Sequence, residues 1–213
     1  MKQTLKVLAT VAALAVPSFA AAQSPIDATV SLKIVANPYV TNGTGFNSAL
    51  FGGGYLADFS ITKPIGELVF DDYLVWCIDA NRGVTTPGGP YSYSAFTADN
   101  FAASTLGATN GNDVTYGQMR RMVSLVNTLE TNWASLGTTA KKDYQGSIWK
   151  EFRGESPVIT GDVNQSLDGW MVLYGNENNQ TFLTYVPEPS SFALLFTMLG
   201  GMVLMVVARR RRA

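Results

Sequence analysis

Ala28-Thr29-Val30-Ser31-Leu32-Lys33-Ile34-Val35-Ala36 places Val30, Leu32 and Ile34 on one side of an extended chain and Ser31 and Lys33 on the other. A period of two is the signature of a strand with one face buried. Asn37-Pro38 is expected to end it, because proline has no N–H for a ladder. Tyr55, Ala57, Phe59 and Ile61 repeat the pattern, and Lys63-Pro64 closes that second strand. Residues 68–70 and 73–79, rich in β-branched and aromatic side chains, read as one or two more. Residues 41–54 are glycine-rich and read as a mobile loop. Residues 84–111 carry turn signals at Pro87-Gly88-Gly89-Pro90 and Asn110-Gly111 and show little sustained period.

Further along, the period changes. Met119, Met122, Val123, Val126 and Leu129 recur at helical spacing, with Asp113 or Thr115 available as an N-cap. A second helix fits residues 139–152, where Ala140, Tyr144, Ile148 and Phe152 are four apart, and Gly137 separates the two. Strands are expected again at 157–163, 170–174 and 181–186, the last two as a hairpin around residues 175–179. The expected fold is α+β, mainly β: an antiparallel sandwich or barrel with an inserted helical pair, plus a C-terminal single transmembrane helix.

The two ends read as addressing segments. Lys2 and Lys6 form a basic start, residues 5–16 an apolar core, and Ser18-Phe19-Ala20-Ala21-Ala22 a small-residue exit, so residues 1–22 are a signal peptide. At the other end come Val186-Pro187-Glu188-Pro189, an uncharged apolar run over 192–208, and Arg209-Arg210-Arg211-Arg212. That run suits a short spanning helix at ~1.5 Å rise per residue. The arginines hold its end on the cytoplasmic side and can snorkel to lengthen the span. Residues 23–185 then form one extracytoplasmic domain.

These C-terminal residues resemble the PEP-CTERM sorting tail of Gram-negative bacteria. The resemblance implies recognition by an exosortase-type membrane transpeptidase, passage through the inner membrane, and delivery to the cell surface or beyond. The tail is carried by many unrelated exported proteins, so it implies an address and leaves the activity of residues 23–185 open.

Composition narrows that activity. Without Lys2, Lys6 and the four terminal arginines nine basic residues remain, against 15 acidic ones once Glu188 is also set aside, a net of about −6. Such a domain offers no basic patch for nucleic acid. There is no histidine, which excludes Ser-His-Asp and Cys-His catalysis in their usual forms and makes a zinc site a poor expectation. Cysteine occurs once, at Cys77, whereas exported chains ordinarily carry cysteines in pairs. No cofactor is indicated, and a hydrolase would need a carboxylate pair or metal that the sequence does not present.

Cys77 lies in Val75-Trp76-Cys77-Ile78-Asp79 and Gln145 in Tyr144-Gln145-Gly146-Ser147-Ile148-Trp149. On a helix Gln145 would share a mostly apolar face with Ile148 and Trp149, and a buried amide without partners costs about 1–3 kcal/mol. A cysteine sulfur can consume that amide by attacking its carbonyl and expelling ammonia, which leaves an internal thioester. Trp76, Tyr144 and Trp149 would wall it off from water, and Gly146 would permit close approach. The two segments are similar to the thioester domains of bacterial surface adhesins, which have a hydrophobic residue before the cysteine and a later hydrophobic-Gln-x-x-hydrophobic-hydrophobic pattern. Here Trp76 stands where that family has Tyr, Phe or Leu, and Gly146-Ser147 where small alanines are usual. The resemblance implies covalent adhesion to a surface amine or hydroxyl, extracellular polysaccharide included. The alternative is a non-catalytic component of the envelope or polysaccharide matrix, with Cys77 a small core hydrophobe and Gln145 a structural hydrogen-bonding group.

Weaker signals surround this pair. Asp162, Asn164, Ser166 and Asp168 space oxygen atoms as calcium loops do, but without the glycine and glutamate of an EF-hand, so a polar turn is expected. Asp71-Asp72, Arg120-Arg121 and Lys141-Lys142 read as solvated charges, and Trp133 and Trp170 as packing.

Overall fold

Six antiparallel strands close on themselves, so the domain is a barrel and not a sandwich. The computed structural model describes residues 28–46, 52–63, 66–80, 87–103, 114–175 and 179–186. The strands are β1 (Ala28–Thr41), β2 (Gly52–Lys63), β3 (Gly66–Cys77), β4 (Gly88–Thr97), β5 (Trp170–Gly175) and β6 (Phe182–Tyr185). Around the barrel they run β1-β2-β3-β6-β5-β4, closed at the β3–β6 seam by the pairs Trp76–Leu183 and Cys77–Phe182. Three helices, α1 (Ala98–Ala102), α2 (Tyr116–Asn132) and α3 (Thr138–Phe152), are inserted between the neighbouring strands β4 and β5. The expected signal peptide, the box residues after Val186, the apolar run expected to span the membrane and the arginine cluster lie outside the described residues. Among the described residues no helix is long and apolar enough to cross a membrane.

Alternation divides the apolar side chains between two cores. Val30, Leu32, Ile34, Ala57, Ile61, Val75, Cys77, Ala95, Leu173 and Phe182 are fully buried inside the barrel. The outer face of β3, β6, β5 and β4 carries Trp76, Leu183, Val172, Trp170 and Phe96, which pack under the helices against Met119, Met122, Val126, Leu129, Ile148 and Phe152. Burying such side chains stabilises the fold by about 1.5–3 kcal/mol each. The helical pair is therefore half of the second core. Thr115, and not Asp113, caps α2 in a reciprocal capping box with Gln118. Arg121 pairs with buried Glu151 at 2.7 Å and ties α2 to α3.

Several expectations need correction. Asn37-Pro38 does not end β1: the strand runs to Thr41 because register shifts between Ile34 and Ala36 and between Ala36 and Tyr39 absorb the proline. Gly52–Gly54, read as loop, pair with β1 and β3. The segments 68–70 and 73–79 are one strand ending at Cys77. It is interrupted by a bulge at Asp72 (φ 50°), whose N–H is accepted by the Asp58 carboxylate at 3.0 Å. Residues 84–111, read without regular structure, contain β4 and α1. The strand expected at 157–163 is absent. Its backbone N–H groups go to helix side chains instead, Ile159 to Ser147 Oγ at 2.9 Å and Asp162 to Ser124 Oγ at 3.0 Å.

Candidate functional site

One rim of the barrel gathers the C-terminal ends of β1 and β3 and the starts of β2 and β6. Cys77, the last residue of β3, points inward there. Gln145 and Trp149, one turn apart on α3, reach over the same rim, with Trp149 packed among the barrel residues and edge-on to Phe46 at 5.0 Å. All three are fully buried.

Glycines let the helix come this close. A Cβ on Gly146 would lie 2.5 Å from the Thr44 carbonyl oxygen and 2.7 Å from the Thr44 nitrogen. The resulting contact is clasped by the Thr44 N–H donating to the Lys142 carbonyl at 3.0 Å. A Cβ on Gly52 would lie 2.3 Å from Trp149 Cζ2 and 3.3 Å from Cys77 Sγ, so sulfur and indole meet over a residue with no side chain.

The Gln145 amide donates through Nε2 to the backbone carbonyl of Cys77 at 3.0 Å, and Gln145 Oε1 has no hydrogen-bond partner. That half-satisfied amide carries a penalty of about 1–3 kcal/mol. The Cys77 thiol donates to the Asp79 carbonyl at 3.3 Å. Burial pushes the thiol up to about 12; the Trp149 indole N–H opposes this, the Asp79 carboxylate adds to it, and the backbone at Asp79 and Gly53 opposes it again. Trp149 Nε1 completes no hydrogen bond of good geometry, so its influence on the sulfur is an electrostatic contact and not a full bond. Two phenols, Tyr55 and Tyr93, share the barrel interior. Burial raises both, and the Cys77 sulfur raises them further. The Tyr93 hydroxyl is buried without a partner.

This arrangement can bring a sulfur and an amide carbonyl together in a dry pocket. It cannot generate a free thiolate at neutral pH.

Of the residues expected around the site, the structure gathers Cys77, Gln145, Gly146 and Trp149. Trp76 is a correction: it is not a wall of the pocket, because neighbouring strand residues face opposite ways. Its ring stacks on Tyr39 at 6.0 Å in the outer core, and its Nε1 donates to Glu130 at 3.3 Å. Tyr144 and Ile148 likewise face the outer core. Sequence reading missed Gly43, Gly52, Asp79, Tyr55 and Tyr93. The alternation Tyr91-Ser92-Tyr93-Ser94-Ala95 was the available signal for Tyr93.

Asp162, Asn164, Ser166 and Asp168 form two separate turns. Asp162 Oδ1 accepts from the Asn164 N–H at 2.8 Å, and the Ser166 hydroxyl donates to Asp168 Oδ2 at 2.8 Å. Among the described residues no group of three or more metal-ligating side chains is assembled. Of the residues expected to form a sorting motif, Val186 to Pro189, only Val186 is described: it is buried, and its N–H donates to the Gly169 carbonyl at 2.7 Å. Comparison of this chain with protein-family models, curated proteins and solved structures returns no match.

Proposed function

We propose that this is an exported surface protein, sorted through its PEP-CTERM-like tail by an exosortase-type transpeptidase, that binds its target covalently through a Cys77–Gln145 thioester. The observation that carries the reading is the fully buried Gln145 amide lying on the backbone of the chain's only cysteine, half satisfied and hemmed by glycines. In the forming step Cys77 Sγ bonds to Gln145 Cδ and the Cδ–Nε2 bond breaks. The thiol proton leaves with the amide nitrogen as ammonia. An incoming amine then attacks Cδ, forms an amide to the former Gln145 side chain, and returns the proton to sulfur; a hydroxyl gives the corresponding ester. Each molecule reacts once, so the protein is not a turnover enzyme. No histidine is required, since proximity and exclusion of water supply most of the advantage.

Intact mass of protein recovered from the envelope tests this. The expected mass is one ammonia below that of the processed sequence, and Cys77→Ala and Gln145→Ala each remove the deficit. The same spectrum reports loss of residues 1–22 and any trimming after Val186. A full sequence mass with a titratable thiol would refute the thioester and favour the second reading, an inert envelope or matrix component. That reading draws on one observation, the strongly raised, hydrogen-bonded thiol.

A further inference from the structure

A second site lies on the outer face of the barrel, away from the sulfur. α2, the turn leading into β5 and the end of β6 enclose an open cleft of about 400 Å³. Its walls are Glu130 and Asn127 from the helix, Gln165 and Asp168 from the turn, and the rings of Trp170 and Tyr185.

Tyr185 is 49 % exposed, among the largest apolar exposures in the described chain, and yet it is firmly placed. Its carbonyl accepts from the Tyr73 hydroxyl at 2.6 Å, and its ring meets Trp170 edge-on at 5.5 Å. The ring lies over Gly169, which has φ +75° and whose Cβ would come 2.7 Å from Tyr185 Cε2. The turn thus leaves room for the aromatic ring above it. Around it the polar groups are also held: Asp168 by the Ser166 hydroxyl at 2.8 Å and Glu130 by the Trp76 indole at 3.3 Å. A fixed, half-exposed ring bordered by preset carboxylates and amides suits a ligand that has both C–H faces and many hydroxyl donors. None of the eight lining residues is basic, so phosphates and uronates find no counter-charge and meet two carboxylates.

We propose that this cleft binds a neutral oligosaccharide reversibly, with Tyr185 as the platform and Glu130 and Asp168 as hydroxyl acceptors. The inference does not depend on the thioester. A thioester elsewhere on the same domain would then act on a polymer the cleft already holds, and effective concentration would favour capture of a sugar hydroxyl.

The test uses the full-length Cys77→Ala chain, in a detergent without a sugar headgroup, so that covalent capture cannot contribute. Cellohexaose, maltohexaose, N-acetylchitohexaose and an alginate hexamer are titrated by calorimetry. At least one neutral hexamer is expected to bind with Kd below about 1 mM, while alginate does not. Tyr185→Ala should weaken binding roughly tenfold or more, and Tyr185→Phe should retain it. Failure of all three neutral probes, equal binding of alginate, or indifference to Tyr185→Ala would each overturn the assignment. Normal sugar binding by the unsubstituted protein, recovered with no ammonia deficit in its mass, would sink the thioester alone.

Discussion

Trp76 and Cys77 are neighbours on β3, both buried, and live in opposite chemical worlds. Trp76 faces the outer core, where its indole N–H has an acceptor in Glu130 and its ring stacks on Tyr39 and meets Trp133 at 6.1 Å. Cys77 faces a barrel rim where Gln145 Oε1, Trp149 Nε1 and the Tyr93 hydroxyl all lack hydrogen-bond partners. Native interiors pair nearly all such atoms, and exceptions concentrate where a site does chemistry. One face of the strand stabilises the domain. The other holds groups that stability alone would have paired or replaced.

Replacing each residue by alanine should expose that asymmetry. Trp76→Ala removes a fully buried indole of the outer core together with its bond to Glu130, and is expected to cost about 3–5 kcal/mol in urea unfolding. Cys77→Ala, compared with the amine-treated free-thiol form so that loss of the 77–145 crosslink does not enter, removes one sulfur from the rim and should cost about 1 kcal/mol; it also abolishes the ammonia deficit completely. A Cys77→Ala cost as large as that of Trp76→Ala would make the sulfur a structural element after all and erase the distinction.

Alkali separates the two states of the rim. The folded thiol keeps its proton until about 12, whereas an unfolded cysteine gives it up near 9. Between those values the unfolded chain holds fewer protons than the folded one, so the stability of the free-thiol form falls as pH rises through this window. The thioester form has no thiol proton to lose. Its pH slope should therefore track that of Cys77→Ala, and in both forms Tyr55 and Tyr93 keep the rise that burial gives them and lose the part due to the Cys77 sulfur. The measurement is urea unfolding from pH 8 upward on amine-treated and untreated protein. Coincident curves for the free-thiol form and Cys77→Ala would break the assignment of that raised value to Cys77.

The same contrast explains what could be read in the chain. The barrel's inner face was legible wherever alternation was clean, at Val30-Leu32-Ile34 and Ala57-Phe59-Ile61, and the two longer inserted helices, α2 and α3, were legible from their 3.6-residue period, whereas the five-residue α1 was not. Strand limits were not, because Pro38 and Asp72 sit in bulges, and a bulge keeps a strand going through residues that ordinarily stop it. Residues 157–163 failed for a different reason. Val158 and Val163 are exposed, and the segment's N–H groups are satisfied by serines on α2 and α3, a tertiary contact that no local pattern encodes. Cys77 and Gln145 could be paired from residue chemistry, since an unpaired sulfur and a buried amide both needed an account. The glycines that admit α3 to the rim could not. A glycine required for close approach and a glycine in a loose loop look the same until the neighbour that would clash is known.

The smallest expected effect is the most specific to the rim. Tyr93 is 2 % exposed, its ring lies 5.9 Å from Phe182, and its hydroxyl has no partner. Tyr93→Phe keeps the ring and removes only that oxygen. Deleting a buried hydroxyl that makes a net hydrogen bond destabilises by about 0.5–1.5 kcal/mol, whereas deleting an orphaned one is neutral or stabilising by up to about 1 kcal/mol. The expected sign is therefore stabilisation, measured as a rise in the urea midpoint at unchanged slope. The matching change Tyr73→Phe, at a phenol that donates to the Tyr185 carbonyl at 2.6 Å, should instead lower it. Opposite signs for the same atom removed from the same residue type would show that the rim near Cys77 is held short of its stability optimum. Equal losses would mean that the Tyr93 hydroxyl is satisfied in solution, and the contrast between the two faces of β3 would then rest on Gln145 and Trp149 alone.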